Sequence, residues 1–230
     1  MSKKRKPASE RFLTLKRIVP ITPNQSETIE HFKADFNLVL HGVAGTGKTF
    51  LALWLGLNEV LENNYHKIII IRSVVPSREI GFLPGNPVEK SAIYETPYRS
   101  ICSELFGRGD AYDILKQKDM LNFETTSYLR GTTIDKAIVI VDEIQNMNFE
   151  ELDTVITRFG NDCRVIFCGD LDQSDLYRNK FDKTGLPQFL DIIEACPSFS
   201  FIEFFEEDIV RSGIVKEWIK AKLDYFEQGD

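Results

Sequence analysis

The sequence contains no CxxC pair and no Cys/His cluster; its four cysteines, Cys102, Cys163, Cys168 and Cys196, stand apart from its three histidines. A zinc site therefore has no ligand spacing to rest on, a disulfide framework has no compositional support, and buried free thiols are the expectation. No apolar stretch approaches membrane-spanning length, which excludes a helical membrane protein and any membrane partner of that kind. The start, Met1-Ser2-Lys3-Lys4-Arg5-Lys6, has no apolar segment of the signal-peptide type behind it, so a soluble, cytoplasmic protein is expected. Internal repeats and low-complexity tracts are missing too, which rules out a repeat array.

What is present is an ordinary globular composition, 43% hydrophobic and 27% charged, on 230 residues, enough for one substantial core. The overall charge of −7 hides an asymmetry. Residues 1–20 hold Lys3, Lys4, Arg5, Lys6, Arg11, Lys16 and Arg17 against Glu10 alone, so the body of the chain is more acidic than the total suggests. An acidic body argues against non-specific coating of duplex, while the basic arm is either a phosphate-contacting segment or a solvated, flexible terminus. The expected organisation is this arm followed by a single domain over residues 21–230.

Uninterrupted apolar runs at Lys67-Ile68-Ile69-Ile70-Ile71-Arg72, Ala137 to Val141 and Arg164 to Gly169 read as strands covered on both faces. Phe36 to His41 and Phe199 to Phe204 add two more, and Phe123 to Thr126 a short one. Helical patterns at Ser26 to Phe32, with Asn24 or Ser26 as cap, and at Asn148 to Arg158, Leu186 to Ala195 and Ile209 to Leu223 alternate with them. The result is an α/β fold with a mostly parallel sheet. Between residues 76 and 127 the alternation breaks into an inserted segment of mixed helix and loop.

The most informative stretch is Gly42-Val43-Ala44-Gly45-Thr46-Gly47-Lys48-Thr49, a phosphate-cradling P-loop pattern between a strand and an apolar helical run broken only by Gly56. Its glycines let successive N–H groups converge on phosphate oxygens, Lys48 reaches the outer phosphates, and the Thr49 hydroxyl can join the shell of a magnesium ion. Downstream, Ile138-Val139-Ile140-Val141-Asp142-Glu143 delivers two acids at a strand end. Asp142 suits the metal and Glu143 the polarisation of an attacking water; the alternative is that both merely cap the next helix. If the strand ending in Gly169-Asp170 lies between these two, Asp170 or Gln173 falls near the γ-phosphate. Gln25, after Asn24, precedes the P-loop strand by roughly the distance at which a glutamine amide can read an adenine edge. Arg211 is a candidate for neutralising charge on the transferring phosphoryl group, or a helix-face partner of Asp208.

Taken together, Asn24-Gln25, Gly42 to Thr49, Gly81-Phe82-Leu83-Pro84-Gly85 with Glu89-Lys90, Tyr128-Leu129-Arg130-Gly131-Thr132-Thr133, Val141-Asp142-Glu143-Ile144-Gln145-Asn146, Cys168-Gly169-Asp170-Leu171-Asp172-Gln173-Ser174-Asp175 and Asp208-Ile209-Val210-Arg211 resemble the PhoH family. The resemblance implies a RecA-like P-loop NTPase related to superfamily one helicase motors, with ATP hydrolysis, magnesium, rings of six and links to RNA metabolism. It also sets Arg72, Ser73 and Arg78 where helicases contact single-stranded nucleic acid. The physical case for an oligomer is separate: a lone domain of this kind leaves its nucleotide open to water on one side, and a neighbouring subunit can cover it, with Arg211 acting across a head-to-tail contact. The expected function is Mg-dependent ATP hydrolysis coupled to single-stranded RNA or DNA. A slow nucleotide-dependent switch or scaffold and a P-loop kinase stand as alternatives.

Overall fold

The computed structural model describes residues 13–73, 87–129, 131–170 and 185–227. In chain order these form α1 (Pro23–Lys33), β1 (Asn37–Gly42), α2 (Lys48–Leu61), β2 (Lys67–Arg72), α3 (Pro87–Phe106), α4 (Ala111–Gln117), β3 (Leu121–Thr125) and β4 (Ala137–Asp142). Then follow α5 (Phe149–Ile156), β5 (Arg164–Cys168), α6 (Leu186–Glu194), β6 (Phe199–Phe204) and α7 (Gly213–Glu227).

The strands make one parallel sheet in the order β3-β2-β4-β5-β1-β6 among the described residues. Alternation along each strand divides the core in two. Leu38, Leu40, Ile68, Ile70, Ile138, Ile140 and Ile166 face α1, α2, α3 and α4, while Val39, Ile69, Ile71, Val139, Val141, Val165 and Phe167 face α5 and α6. Both faces are covered, which is why the central strands read as unbroken apolar runs. Helix α2 can lie close on the sheet because of Gly56: a Cβ there would meet Ile68 Cδ1 at 3.1 Å and Ile138 Cγ2 at 3.2 Å.

Helix boundaries depart from the sequence expectation in three places. Helix α1 starts earlier, at Pro23, because Thr22 rather than Asn24 or Ser26 is its N-cap, accepting from Gln25 N at 3.3 Å. The last helix begins at Gly213 rather than Ile209, since residues 206–208 form a separate 3₁₀ turn. The inserted segment holds a 20-residue helix, α3, with Pro97 inside it. Its carboxyl half is anchored by Tyr98, Cys102 and Leu105, all fully buried, and this burial outweighs the backbone hydrogen bond that proline cannot make.

Of the basic N-terminal stretch, residues 13–20 are described: Leu13, Leu15 and Ile18 pack against the core, and Lys16 N donates to Leu105 O at 2.9 Å. No helix among the described residues is long and apolar enough to cross a membrane.

Candidate functional site

The carboxyl ends of the strands assemble the site. Register aligns Thr125, Arg72, Asp142 and Cys168 across β3, β2, β4 and β5, and Cys168 pairs with Leu40 of β1. Strand β5 does lie between β1 and β4, so the glycine loop and the acidic pair flank the end of β5.

Residues 42–49 turn from β1 into α2 with Gly42, Gly45 and Gly47 at φ of 111°, 81° and 89°, a region that side chains disfavour. Gly42 is pressed on the backbone of β6, where Val43 N donates to Phe204 O at 2.9 Å. Val43 and Ala44 lie in the connection between β1 and α2, and Thr46 is buried with its hydroxyl donating to Val43 O at 3.0 Å. Lys48 is 5% exposed and curls into the loop. Its Nζ donates to Val43 O at 2.8 Å and Gly42 O at 3.1 Å, and pairs with Asp170 at 2.9 Å.

Alternation puts Asp142 on the same sheet face as Ile138 and Ile140, toward α2 and α3. Thr49 Oγ1 donates to Asp142 Oδ1 at 2.7 Å, joining the two motifs that the sequence places 93 residues apart. Tyr98 of α3 donates to the other oxygen, Oδ2, at 2.8 Å. Burial raises the Asp142 carboxyl above its ordinary value, opposed by these two hydrogen bonds and by Arg72.

Glu143 follows in the left-handed region at φ 58°, ψ 45°, which is uncommon for a residue with a side chain and breaks the strand's alternation. Its Oε2 accepts from Gln145 Nε2 at 2.6 Å, and Gln145 Oε1 accepts from Asp170 N at 3.2 Å. Burial first, and then the charge of Asp142, raise the Glu143 carboxyl. A partly buried carboxylate with raised basicity has the character of a general base. Both acids precede a 3₁₀ turn rather than α5, whose N-cap is Asn148, so capping does not explain them.

Thr49 and Asp142 offer two hard oxygens, which suits a magnesium ion that keeps several waters and takes its other ligands from phosphates. No cluster of three or more metal-ligating His, Cys, Asp or Glu occurs among the described residues.

Around this centre, Asn24 Nδ2 donates to the buried Asp208 Oδ2 at 2.7 Å, tying the start of α1 to the segment after β6. Gln25 beside it accepts from Ile21 N at 3.0 Å through Oε1. Arg211 does not share a helix with Asp208, whose carboxylate is taken by Asn24 and by Phe205 N at 2.9 Å. It lies instead against its own chain's loop: Val210 N donates to Gly45 O at 3.3 Å, and Arg211 Cγ would be 3.1 Å from a Cβ on Gly45.

Of the expected nucleic-acid contacts, Arg72 and Ser73 are among the described residues. Arg72 has its guanidinium 5.9 Å from the Tyr94 ring centre, next to the acids. Ser73 is buried, its hydroxyl donating to Glu151 Oε1 at 2.9 Å, an oxygen that also accepts from Thr126 at 2.6 Å. An anionic partner in that position does not favour phosphate. Arg78 and Gln173 lie outside the described residues, as do Gly81 to Gly85, Arg130 and Leu171 to Asp175. Tyr98 and Tyr94 are not legible as site residues in the sequence, because nothing local marks them among the chain's seven tyrosines.

Known proteins bear on this arrangement. The family described as PhoH-like protein matches residues 17–222. A PhoH-like protein of Bacillus subtilis (strain 168) is 32% identical over 201 residues, 87% of this chain and 62% of the relative. One from Mycobacterium leprae (strain TN) is 30% identical over 218 residues, 92% of this chain and 60% of the relative. Protein PhoH of Escherichia coli (strain K12) is 31% identical over 182 residues, 78% and 51%. The chain thus spans between about half and two thirds of the length of these curated relatives. Among solved structures, the Sulfolobus solfataricus SWI2/SNF2 ATPase core in complex with dsDNA gives a TM-score of 0.47 at 15% identity, over 80% of this chain and 45% of that one. The large terminase of a thermophilic bacteriophage, in complex with ADP, gives 0.49 at 12% identity, over 86% and 49%. The α/β P-loop NTPase fold stands on the sheet order and the glycine loop themselves, and the family match over residues 17–222 adds the lineage: the chain belongs to the PhoH family.

Proposed function

We propose that this chain is a magnesium-dependent ATPase. The observation that carries the reading is the 2.7 Å contact between the Thr49 hydroxyl and Asp142, whose sequence neighbours are Lys48 and Glu143. In this reading the amides of residues 44–49 and the ammonium of Lys48 hold the β- and γ-phosphates, the Val43 amide being taken by Phe204 O, and the amino end of α2 adds its favourable dipole. Thr49 and Asp142 would hold magnesium, which supplies charge neutralisation between the phosphates. Glu143, partly buried and raised in basicity, accepts a proton from the attacking water. Gln145 keeps its carboxylate aimed, and Asp170 gives Lys48 a polar partner near the same edge. The closeness of Arg211 to Gly45 of its own loop supports a role in its own chain's site rather than across a subunit contact.

The coupled substrate in this proposal is single-stranded RNA or DNA, handled by a ring of six copies in the cytoplasm. Support comes from the carboxyl end of β2, where Arg72 lies beside the acids, so a polymer gripped by the segment that follows would sit within reach of the chemistry. Oligomerisation is supported by α7, which leaves Ile214, Trp218 and Tyr225 exposed on one helical stripe and brings Ile219 up to the loop at Gly45.

Phosphate release from ATP tests the proposal, measured with and without magnesium, with single-stranded RNA, single-stranded DNA or duplex added, and with mass in solution recorded alongside. Turnover that needs magnesium and rises with a single strand is the expected result. Binding without turnover favours the switch, and phosphate passed to an added acceptor favours the kinase; either outcome removes the ATPase reading.

A further inference from the structure

We propose that Tyr98 is a positioning residue for Asp142: its hydroxyl fixes which carboxylate oxygen faces Thr49 and so sets the site's affinity and selectivity for divalent cations. The inference rests on Thr49 and Asp142 being the metal-holding pair.

A terminal carboxylate torsion is broad and soft, so one hydrogen bond leaves it free to swing. Asp142 has two, from different helices and on different oxygens: Thr49 of α2 on Oδ1 and Tyr98 of α3 on Oδ2. Tyr98 can serve as a fixed point because it is fully buried and its ring packs on Phe123 at 5.8 Å between centres. Burial and the neighbouring Asp142 charge raise the phenol well above its ordinary value, so it stays a donor.

One turn earlier on the same helix, Tyr94 lies under the guanidinium of Arg72, the residue paired with Asp142 across β2 and β4. Two tyrosines of the inserted segment, spaced i and i+4, thus hold adjacent residues of the catalytic edge.

The consequence concerns the number of oxygens a cation meets. With Oδ2 held by Tyr98, Asp142 presents Oδ1 alone, in line with Thr49. A single oxygen at fixed direction fits the small, strictly octahedral magnesium ion, whereas a carboxylate free to turn can offer both oxygens to a larger ion such as calcium. Partners of this kind, one layer behind the ligand, typically change metal affinity about 10–100-fold when removed.

The test is Mn²⁺ binding to the full chain with ADP present, followed by the electron paramagnetic resonance signal of free Mn²⁺, with Ca²⁺ added as competitor. Tyr98→Phe should weaken Mn²⁺ binding about tenfold and improve the relative standing of Ca²⁺. Tyr112→Phe is the control: it also removes a buried tyrosine hydroxyl from a carboxylate, Glu95 at 2.8 Å, but one that is neither Asp142 nor a partner of Thr49, and Mn²⁺ affinity should stay as in the parent. Equal behaviour of the two variants, or Mn²⁺ affinity in Tyr98→Phe within about twofold of the parent, overturns the role of Tyr98 and leaves the ATPase reading standing. A parent that binds no Mn²⁺ with ADP removes the metal pair and this inference together. Should Tyr98→Phe fail to fold, a fluorinated tyrosine at position 98 keeps the hydroxyl as a stronger donor. Mn²⁺ binding is then expected to change, and an unchanged titration overturns the proposal.

Discussion

Gly42→Ala separates what the phosphate loop does for the fold from what it does for the ligand. Gly42 ends β1 at φ 111°, and a Cβ there would clash with the carbonyl oxygen of Phe204 and lie 2.8 Å from Phe204 N. Both obstacles are backbone of β6, so no side chain can rotate away. The disfavoured backbone region costs about 1–3 kcal/mol. Forcing atoms into a packed region adds about 1–3 kcal/mol. The combined range, roughly 2–6 kcal/mol, is a large part of a typical stability of about 5–15 kcal/mol. Gly47 is a fair comparison: it has φ 89°, but its added Cβ would meet only Val210 Cγ2 at 3.6 Å, an ordinary contact. Gly47→Ala should therefore carry the backbone term alone, about 1–3 kcal/mol. Urea unfolding followed by circular dichroism, with unchanged slopes, reads the difference directly. In thermal melts, each kcal/mol corresponds to about 2–4 °C for a chain of this size. Both variants should lose nucleotide affinity, yet only Gly42→Ala should lose much stability. Equal stability losses, or a loss below about 1 kcal/mol in Gly42→Ala, would refute the claim that β6 backs the loop.

Other positions give sharper functional readouts. Lys48→Ala should abolish tight nucleotide binding in a fluorescent-nucleotide titration; retained affinity would detach Lys48 from the phosphates. Glu143→Gln should keep ATP bound and lower turnover about 10²–10⁴-fold, and parent-like phosphate release would exclude Glu143 as the base. Because the folded state raises the Glu143 carboxyl, its ionised form weighs against folding above the unfolded pKa, and that burden fades as pH falls through the folded pKa. Glu143→Gln should thus be at least as stable as the parent at neutral pH and lose this advantage on acidification, as melts across pH will record. Asn24→Ala leaves the buried Asp208 carboxylate short of a donor and should cost about 1–3 kcal/mol in urea unfolding. Arg164→Met, which strips the carbonyls of Phe32 and Phe36 of a buried guanidinium donor, should also be destabilising, and an unchanged midpoint would show those carbonyls to be satisfied otherwise.

The parts of the fold that are legible in the sequence are those with local signatures. Ile68 to Ile71 and Ile138 to Val141 announce strands buried on both sides, and the loop at 42–49 and the acids at 142 and 143 occupy the ends of such strands. Helix α3 is hidden because Pro97 reads as a stop, and its order comes from packing on α4 and α2 and from Tyr98 against Phe123 and Asp142 rather than from its own pattern. Tyr98 is hidden for a related reason: its partner is 44 residues away, and a tyrosine that aims a carboxylate looks in sequence like any core aromatic. The start of the last helix reads too early because Ile209 and Val210 are apolar and Arg211 is helix-compatible, yet Ile209 serves as a buried plug and Val210 as a clasp on Gly45.

The pairing of β1 with β6 also bears on the order in which the molecule can be made. Gly42 and Val43 take their shape from Phe204, a residue synthesised roughly 160 positions later. At about 5–20 residues per second, a ribosome needs on the order of 10 s to travel that distance, and throughout it β1 has an unpaired edge. A nascent chain arrested before residue 204 should therefore hold an unfinished cradle, and competence to grip a nucleotide should appear abruptly, once the final strand has emerged from the exit tunnel.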